Sequence, residues 1–218
     1  MKYSYNTYPS PGSSRVAYLL VPLEIGSDGL GALAEKYSTN IVEIIVRDWD
    51  DALTPWPAPG VFSGDREFAG DAASTLKTLR KSIIPKAEKI FGLTDDVYRQ
   101  LVGVSLSGLF AVWAWMQGDD FKDIASISGS FWYDNFTNWL ATDGKRSKDG
   151  FAYLSLGDKE GQTRIGRYKS VVAETARVES ILKDDGAEVM FESTQGTHFA
   201  PMLPRFEKAM LQLSKRES

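Results

Sequence analysis

Six short apolar runs, most of them followed by residues at helical spacing, constrain this chain more than any other feature. "VAYLLV" (16–21) reads as a buried strand, and "IVEIIVR" (41–47), "YRQLVGV" (98–104), "IASIS" (124–128), "FAYLSL" (151–156) and "AEVMFES" (187–193) read as further strands. Between them lie helical patterns. Ser27 precedes one with Leu30, Leu33 and Tyr37 on one side. Leu76, Leu79, Ile83, Ala87 and Ile90 form another, with Pro85 expected to kink it and Gly92 to stop it. "GLFAVWAWM" (108–116) is apolar all round, so a helix there is buried. Ile165, Tyr168, Val172, Val178 and Leu182 predict a helix near 165–183, and Phe199, Leu203, Phe206, Met210 and Leu213 a closing helix. Strands alternating with helices imply an α/β fold, a mostly parallel central sheet with helices on both faces. With no repeat and no interdomain linker, residues 1–218 read as one domain.

Right-handed crossovers bring every strand-to-helix loop to one edge of such a sheet. Function is therefore expected in the loops after residues 21, 47, 104, 128, 156 and 193. In "LVGVSLSGLF" (101–110), Ser105 has Gly103 two residues before it and Ser107 two after it. This is the nucleophile-elbow pattern, with serine in place of the last glycine. A serine on so sharp a strand-to-helix turn adopts strained φ/ψ, and its i−2 and i+2 neighbours must be small. Ser107 as the nucleophile fits less well, because its own i+2 neighbour is Leu109.

The chain has one histidine, His198, in "QGTHFAP" after the sixth run. Histidine ordinarily titrates near pH 6.5, which suits proton transfer at neutral pH. A triad on this fold runs in chain order Ser, acid, His. "GDKEGQTR" (157–164), after the fifth run, supplies the acid: Glu160 is favoured, in the G-x-x-E register, and Asp158 is the alternative. His198 is then the general base for Ser105, and the carboxylate holds its tautomer.

Acyl transfer also needs donors for the tetrahedral oxyanion. The Leu106 N–H follows from the elbow, and the second donor is expected from the main chain of Leu23 or Glu24. Two aromatic segments leave strands on the same edge: "WDDALTPWPAPGVF" (49–62), stiffened by its prolines, and "SFWYDNF" (130–136). Trp49, Trp56, Trp132 and Tyr133 either wall a substrate pocket or cap the core.

Composition removes other chemistries. There is no cysteine, hence no thiolate chemistry or Cys-ligated zinc, and with one His no transition-metal centre is expected. No cofactor is implied. The net charge is −4 with Lys and Arg scattered, which argues against nucleic acid as a partner. No stretch approaches the roughly 20 apolar residues of a membrane helix, and no signal peptide is evident. A soluble, cytoplasmic protein acting on a small molecule is expected, with homodimerisation left open.

The chain resembles the small esterases of the α/β-hydrolase superfamily, the enterochelin-esterase and esterase-D-like group. The resemblance rests on "DWDDALTPWPAPGVFSG" (48–64), "GVSLSGLFAVWA" (103–114), "SGSFWYDNF" (128–136), "LSLGDKEGQTR" (154–164) and "GTHF" (196–199). Ser107 stands where the family usually has glycine, and Pro22-Leu23-Glu24-Ile25 precedes Gly26 where it often has glycine at the oxyanion donor. The resemblance implies a minimal α/β-hydrolase fold without a lid domain, and serine carboxylesterase chemistry on small or carbohydrate-linked esters. Two other readings stay open: a non-catalytic binding protein on the same fold, and an acyltransferase or peptidase using the same triad.

Overall fold

The structure is a computed structural model that describes residues 2–144, 149–163 and 165–216. Arg164, the last residue of the 154–164 segment, lies outside them. The chain runs β1 (Tyr3–Tyr8), β2 (Arg15–Val21), α1 (Ser27–Lys36), β3 (Asn40–Val46), α2 (Trp49–Ala52), α3 (Ala72–Thr78), α4 (Ile84–Ile90), β4 (Tyr98–Val104), α5 (Leu106–Trp115) and β5 (Asp123–Ile127). It continues with α6 (Phe136–Ala141), β6 (Phe151–Gly157), α7 (Val171–Asp184), β7 (Glu188–Thr194) and α8 (Met202–Ser214). The strands form one sheet in the order β1-β3-β2-β4-β5-β6-β7. β1 pairs antiparallel with β3, and every other pair is parallel.

The six expected strands are present, and β1 is a seventh that the apolar runs do not reveal. Its sequence, YSYNTY, is half-buried throughout and carries no continuous apolar stretch. An edge strand has one neighbour and partial cover, so its side chains need not be apolar. The inner strands are the opposite case: β3 and β6 are buried at every residue.

Helices cover both faces. α1 and α8 pack Leu30, Leu33, Phe206, Ala209, Met210 and Leu213 on one side. α3 to α7 pack on the other, and α5 is buried at all ten residues. Pro85 does not simply kink a helix. A π turn at Leu79–Ile83 lets the Ile84 N–H bond the Leu79 carbonyl, just before the donor that Pro85 lacks. A 3₁₀ turn, Gly166–Ser170, replaces the expected start of the helix near 165. Phe199 is outside the closing helix and 91% exposed. Among the described residues no helix is long and apolar enough to cross a membrane.

Candidate active site

The elbow between β4 and α5 is built from steric necessity. Ser105 has φ 57° and ψ −122°, outside the regions comfortable for an L-residue. Such strain costs about 1–3 kcal/mol and persists only where the surroundings enforce it. A Cβ at Gly103 would lie 2.0 Å from the Ser107 carbonyl oxygen, so only glycine fits two residues before Ser105. A Cβ at Gly108 would lie 2.7 Å from Ser126 Oγ and 3.0 Å from Gly129 Cα, which holds α5 against the turn after β5. Ser107 is the tolerated position. Its hydroxyl accepts from the Val104 N–H (2.7 Å) and donates to the Leu20 carbonyl (2.8 Å), tying the elbow to β2. It is buried in those bonds, and the cleft receives Ser105.

Three loops converge on that serine. His198, in the turn before α8, has Nε2 3.0 Å from Ser105 Oγ. Its Nδ1 is 2.9 Å from Oε2 of Glu160, which opens a 3₁₀ turn after β6. Glu160 is buried. Its Oε1 accepts from the Gly157 N–H (2.8 Å) and from the Ser128 hydroxyl. Burial alone would raise its pKa, but the hydrogen bonds from His198, Ser128 and the Gly157 N–H outweigh that and hold the carboxyl below its ordinary range. The group beside the imidazole is therefore an anion at neutral pH, as an orienter of the Nδ1–H tautomer must be.

Asp158 does a different job. It is exposed, and its Oδ1 accepts the Gly196 N–H at 2.9 Å, while its own N–H donates to the Thr194 carbonyl. It pins the loop that carries His198 and does not face the imidazole. Of the two acids, Glu160 is the one at the ring.

The dyad and acid open onto a cleft of about 850 Å³. Leu106 lines it and opens α5, so its N–H has no carbonyl one turn back. Leu23 and Glu24 are not there: they line a separate depression with Ser4, Pro22, Ile45 and Arg47, and Leu23 is 72% exposed. The Ile25 N–H, next in that loop, donates to buried Glu43 at 2.6 Å. Neither Leu23 nor Glu24, the expected source of the second oxyanion donor, is among the residues that line the cleft.

The aromatic segments divide. Trp49 and Trp132 line the cleft. Trp56 and Tyr133 pack beneath it: Tyr133 is 2% exposed, and the Trp56 Nε1–H donates to the Asp134 carbonyl at 2.9 Å. Burial pushes the Tyr133 hydroxyl up to about 12, which fits a core residue. Those two cap the core and do not wall the pocket. Phe62, Phe68, Tyr168 and Phe199 complete the wall. Tyr168 meets Trp132 edge-on at 4.9 Å. Arg167 donates to the Pro59 carbonyl (3.0 Å) and pairs with Asp134 (3.2 Å), joining the wall's segments.

With this geometry in hand, the chain can be set beside known proteins. The model of the family described as "Putative esterase" matches residues 25–209. The chain belongs to that esterase family. A relative from Bacillus subtilis (strain 168), "Uncharacterized protein YbbA", is 28% identical over 138 residues, 62% of this chain and 55% of that protein. The matched part thus spans about half the length of this relative. Among solved structures, a siderophore hydrolase, EstA of Aspergillus nidulans, superposes with TM-score 0.73 at 19% identity, covering 99% of this chain and 91% of its own. An IroE-like serine hydrolase from Shewanella oneidensis gives TM-score 0.77 at 18% identity, with 98% and 75% covered. The enterobactin and salmochelin hydrolase IroE gives 0.68 at 19%, with 98% and 95% covered. At these identities the likeness establishes the α/β-hydrolase type of fold.

Three residues of this esterase's site carry no signal that the motifs supply. Ser130 Oγ lies 3.2 Å from Ser105 Oγ, and the Ser130 N–H donates to the Ser105 carbonyl. Ser128, with φ 48°, supports Glu160. Arg205 of α8 is 6% exposed and lies behind both. "SGS" (128–130) was visible as a loop on the active edge, but nothing in it assigns a role to either serine. Arg205 sits beside an apolar stripe, where an arginine ordinarily snorkels to solvent.

Proposed function

We propose that this chain is a serine carboxylesterase that hydrolyses small esters, carbohydrate-linked ones included, through an acyl-enzyme intermediate. The observation that carries this is the line Ser105 Oγ–His198 Nε2, 3.0 Å, and His198 Nδ1–Glu160 Oε2, 2.9 Å, at the floor of an aromatic cleft. In the first half-reaction His198 Nε2 takes the Ser105 proton as Oγ attacks the ester carbonyl. The oxyanion receives the Leu106 N–H. The protonated imidazole, held by the Glu160 carboxylate, then gives its proton to the departing alcohol. In the second, His198 activates water against the acyl-enzyme, and Ser105 is regenerated with release of the acid.

The wall supports the substrate class. Trp49, Trp132 and Tyr168 offer ring faces on which an aryl or sugar group stacks. The structural neighbours include siderophore and enterobactin hydrolases, which puts siderophore esters on the same panel. The test combines a fluorophosphonate probe with p-nitrophenyl, sugar and siderophore esters of varied acyl length. Labelling at Ser105 with turnover of esters is the expected outcome. A folded protein that neither labels nor turns over any ester would be a binding protein on this fold. Turnover only with an added amine or alcohol acceptor, or of amides alone, would make it an acyltransferase or a peptidase.

A further inference from the structure

Arg205 is a buried cation that the reaction as written does not use. It is 6% exposed, on the inner side of α8 beside Phe206 and Ala209. Burying an arginine costs several kcal/mol unless its donors and charge are matched. Here they are matched by the site. One Nη donates to the Ser128 hydroxyl and stands 3.6 Å from Glu160 Oε1; the other donates to the His198 main-chain carbonyl at 3.3 Å. Ser128 passes the contact on by donating to the same Oε1. A single guanidinium thus touches the turn after β5, the acid after β6 and the loop after β7. Nε makes no hydrogen bond among the described residues, so the side chain is committed to these contacts through its two terminal nitrogens.

We propose that Arg205 is the positioning residue of the triad, locking Glu160 through Ser128 and the His198 loop through its carbonyl, and biasing the imidazole by its charge. This rests on the serine-esterase reading. The groups facing Arg205 are Glu160, His198 and, from β6, Tyr153. Tyr153 donates to Glu192 of β7, which Lys208 of α8 neutralises. Glu207, also on α8, pairs with Lys36 of α1. Arg205 is therefore the one permanent cation in contact with Glu160 among the described residues. A fixed positive charge there stabilises the carboxylate and opposes protonation of the imidazole. Its removal should make the imidazole easier to protonate, provided Glu160 stays ionised through its bonds from Gly157 and Ser128.

The single histidine makes this directly measurable, because its NMR titration needs no assignment and no activity. Arg205→Met is expected to raise the midpoint of that titration by about half a unit to one unit. It should lower kcat by about 10- to 100-fold, the worth of one or two hydrogen bonds to a charged group, with KM within a few-fold. The loss should be larger at pH 6 than at pH 8.5. Arg205→Lys keeps the charge and should restore the midpoint and part of kcat. A folded Arg205→Met protein with the parental midpoint overturns the proposal, as does an Arg205→Lys protein that behaves like Arg205→Met. If Arg205→Met does not fold, Ser128→Ala decides: it breaks the link to Glu160 and should lower kcat at least about 3-fold at constant KM. Parental kinetics in Ser128→Ala would then overturn the proposal. Failure of the esterase reading looks different: no labelling of Ser105 in the parent, with the midpoint shift still readable.

Discussion

Two serines at the ends of adjacent strands, Ser105 after β4 and Ser128 after β5, share one backbone device and use it in opposite ways. Both have positive φ, 57° and 48°. Both sit at the active edge of the sheet. Ser105 turns its hydroxyl to the cleft and to His198, whereas Ser128 is fully buried and turns its hydroxyl to Glu160. Strain at the first turns a hydroxyl toward the cleft and His198. Strain at the second delivers a donor to the carboxylate that meets the His198 ring. Backbone strain therefore marks a site without saying which residue reacts; the partner each hydroxyl meets decides that.

The largest effect that would break this comparison comes from the exposed serine. Ser105→Ala should abolish ester hydrolysis, with a loss of about 10⁴ to 10⁶ in kcat. Ser130→Ala, which removes a hydroxyl that touches Ser105 without being oriented by the base, should cost about tenfold or less. Equal losses from the two would mean that the nucleophile is misassigned.

Next come the two acids. Glu160→Gln should lower kcat by about 10⁴ at neutral pH, because the amide cannot hold the required tautomer. Asp158→Asn should stay within about tenfold, since its carboxylate only pins the Gly196 N–H. The reverse ranking would move the orienter to Asp158. Comparable small effects from both would leave a Ser–His dyad.

The pH profile follows. With one imidazole in the chain, log(kcat/KM) should rise with pH through a single ionisation, because the base must be neutral to accept the Ser105 proton. Residual activity in His198→Ala should show no such limb. A limb that survives the substitution assigns it to another group.

A smaller effect tests the strain itself. Glycine adopts the Ser105 backbone without penalty, so Ser105→Gly should unfold at higher denaturant than Ser105→Ala, by about 1 kcal/mol, although both are inactive. Equal stabilities would remove strain from the account of the elbow.

The smallest effect is a linkage. The Glu160 carboxyl titrates below its ordinary value in the fold, so the stability it contributes is present above the unfolded value, about 4.3. That contribution is lost as pH falls through the folded value. The stability gap between the parent and Glu160→Gln should narrow as pH drops from about 6 toward 3, read by urea unfolding at each pH.

What the sequence by itself determined is whatever depends on period and on local sterics. The inner strands were legible as buried apolar runs, because parallel strands covered on both faces must be apolar throughout. The elbow was legible because a Cβ at position 103 meets the chain's own carbonyl four residues on. His198 was legible as the candidate base because there is one histidine and it follows a strand on the active edge. Only the tertiary structure decided the rest, for contacts between segments far apart in the chain leave no local period. YSYNTY became an edge strand by pairing with β3. The loop of Leu23 and Glu24 is tied to Glu43 through the Ile25 N–H and lines a separate depression. Trp56 and Tyr133 went under the wall while Trp49 and Trp132 lined it. Arg205, 45 residues after Glu160 and 77 after Ser128, came to rest against both because α8 packs across the ends of strands that the chain had left long before.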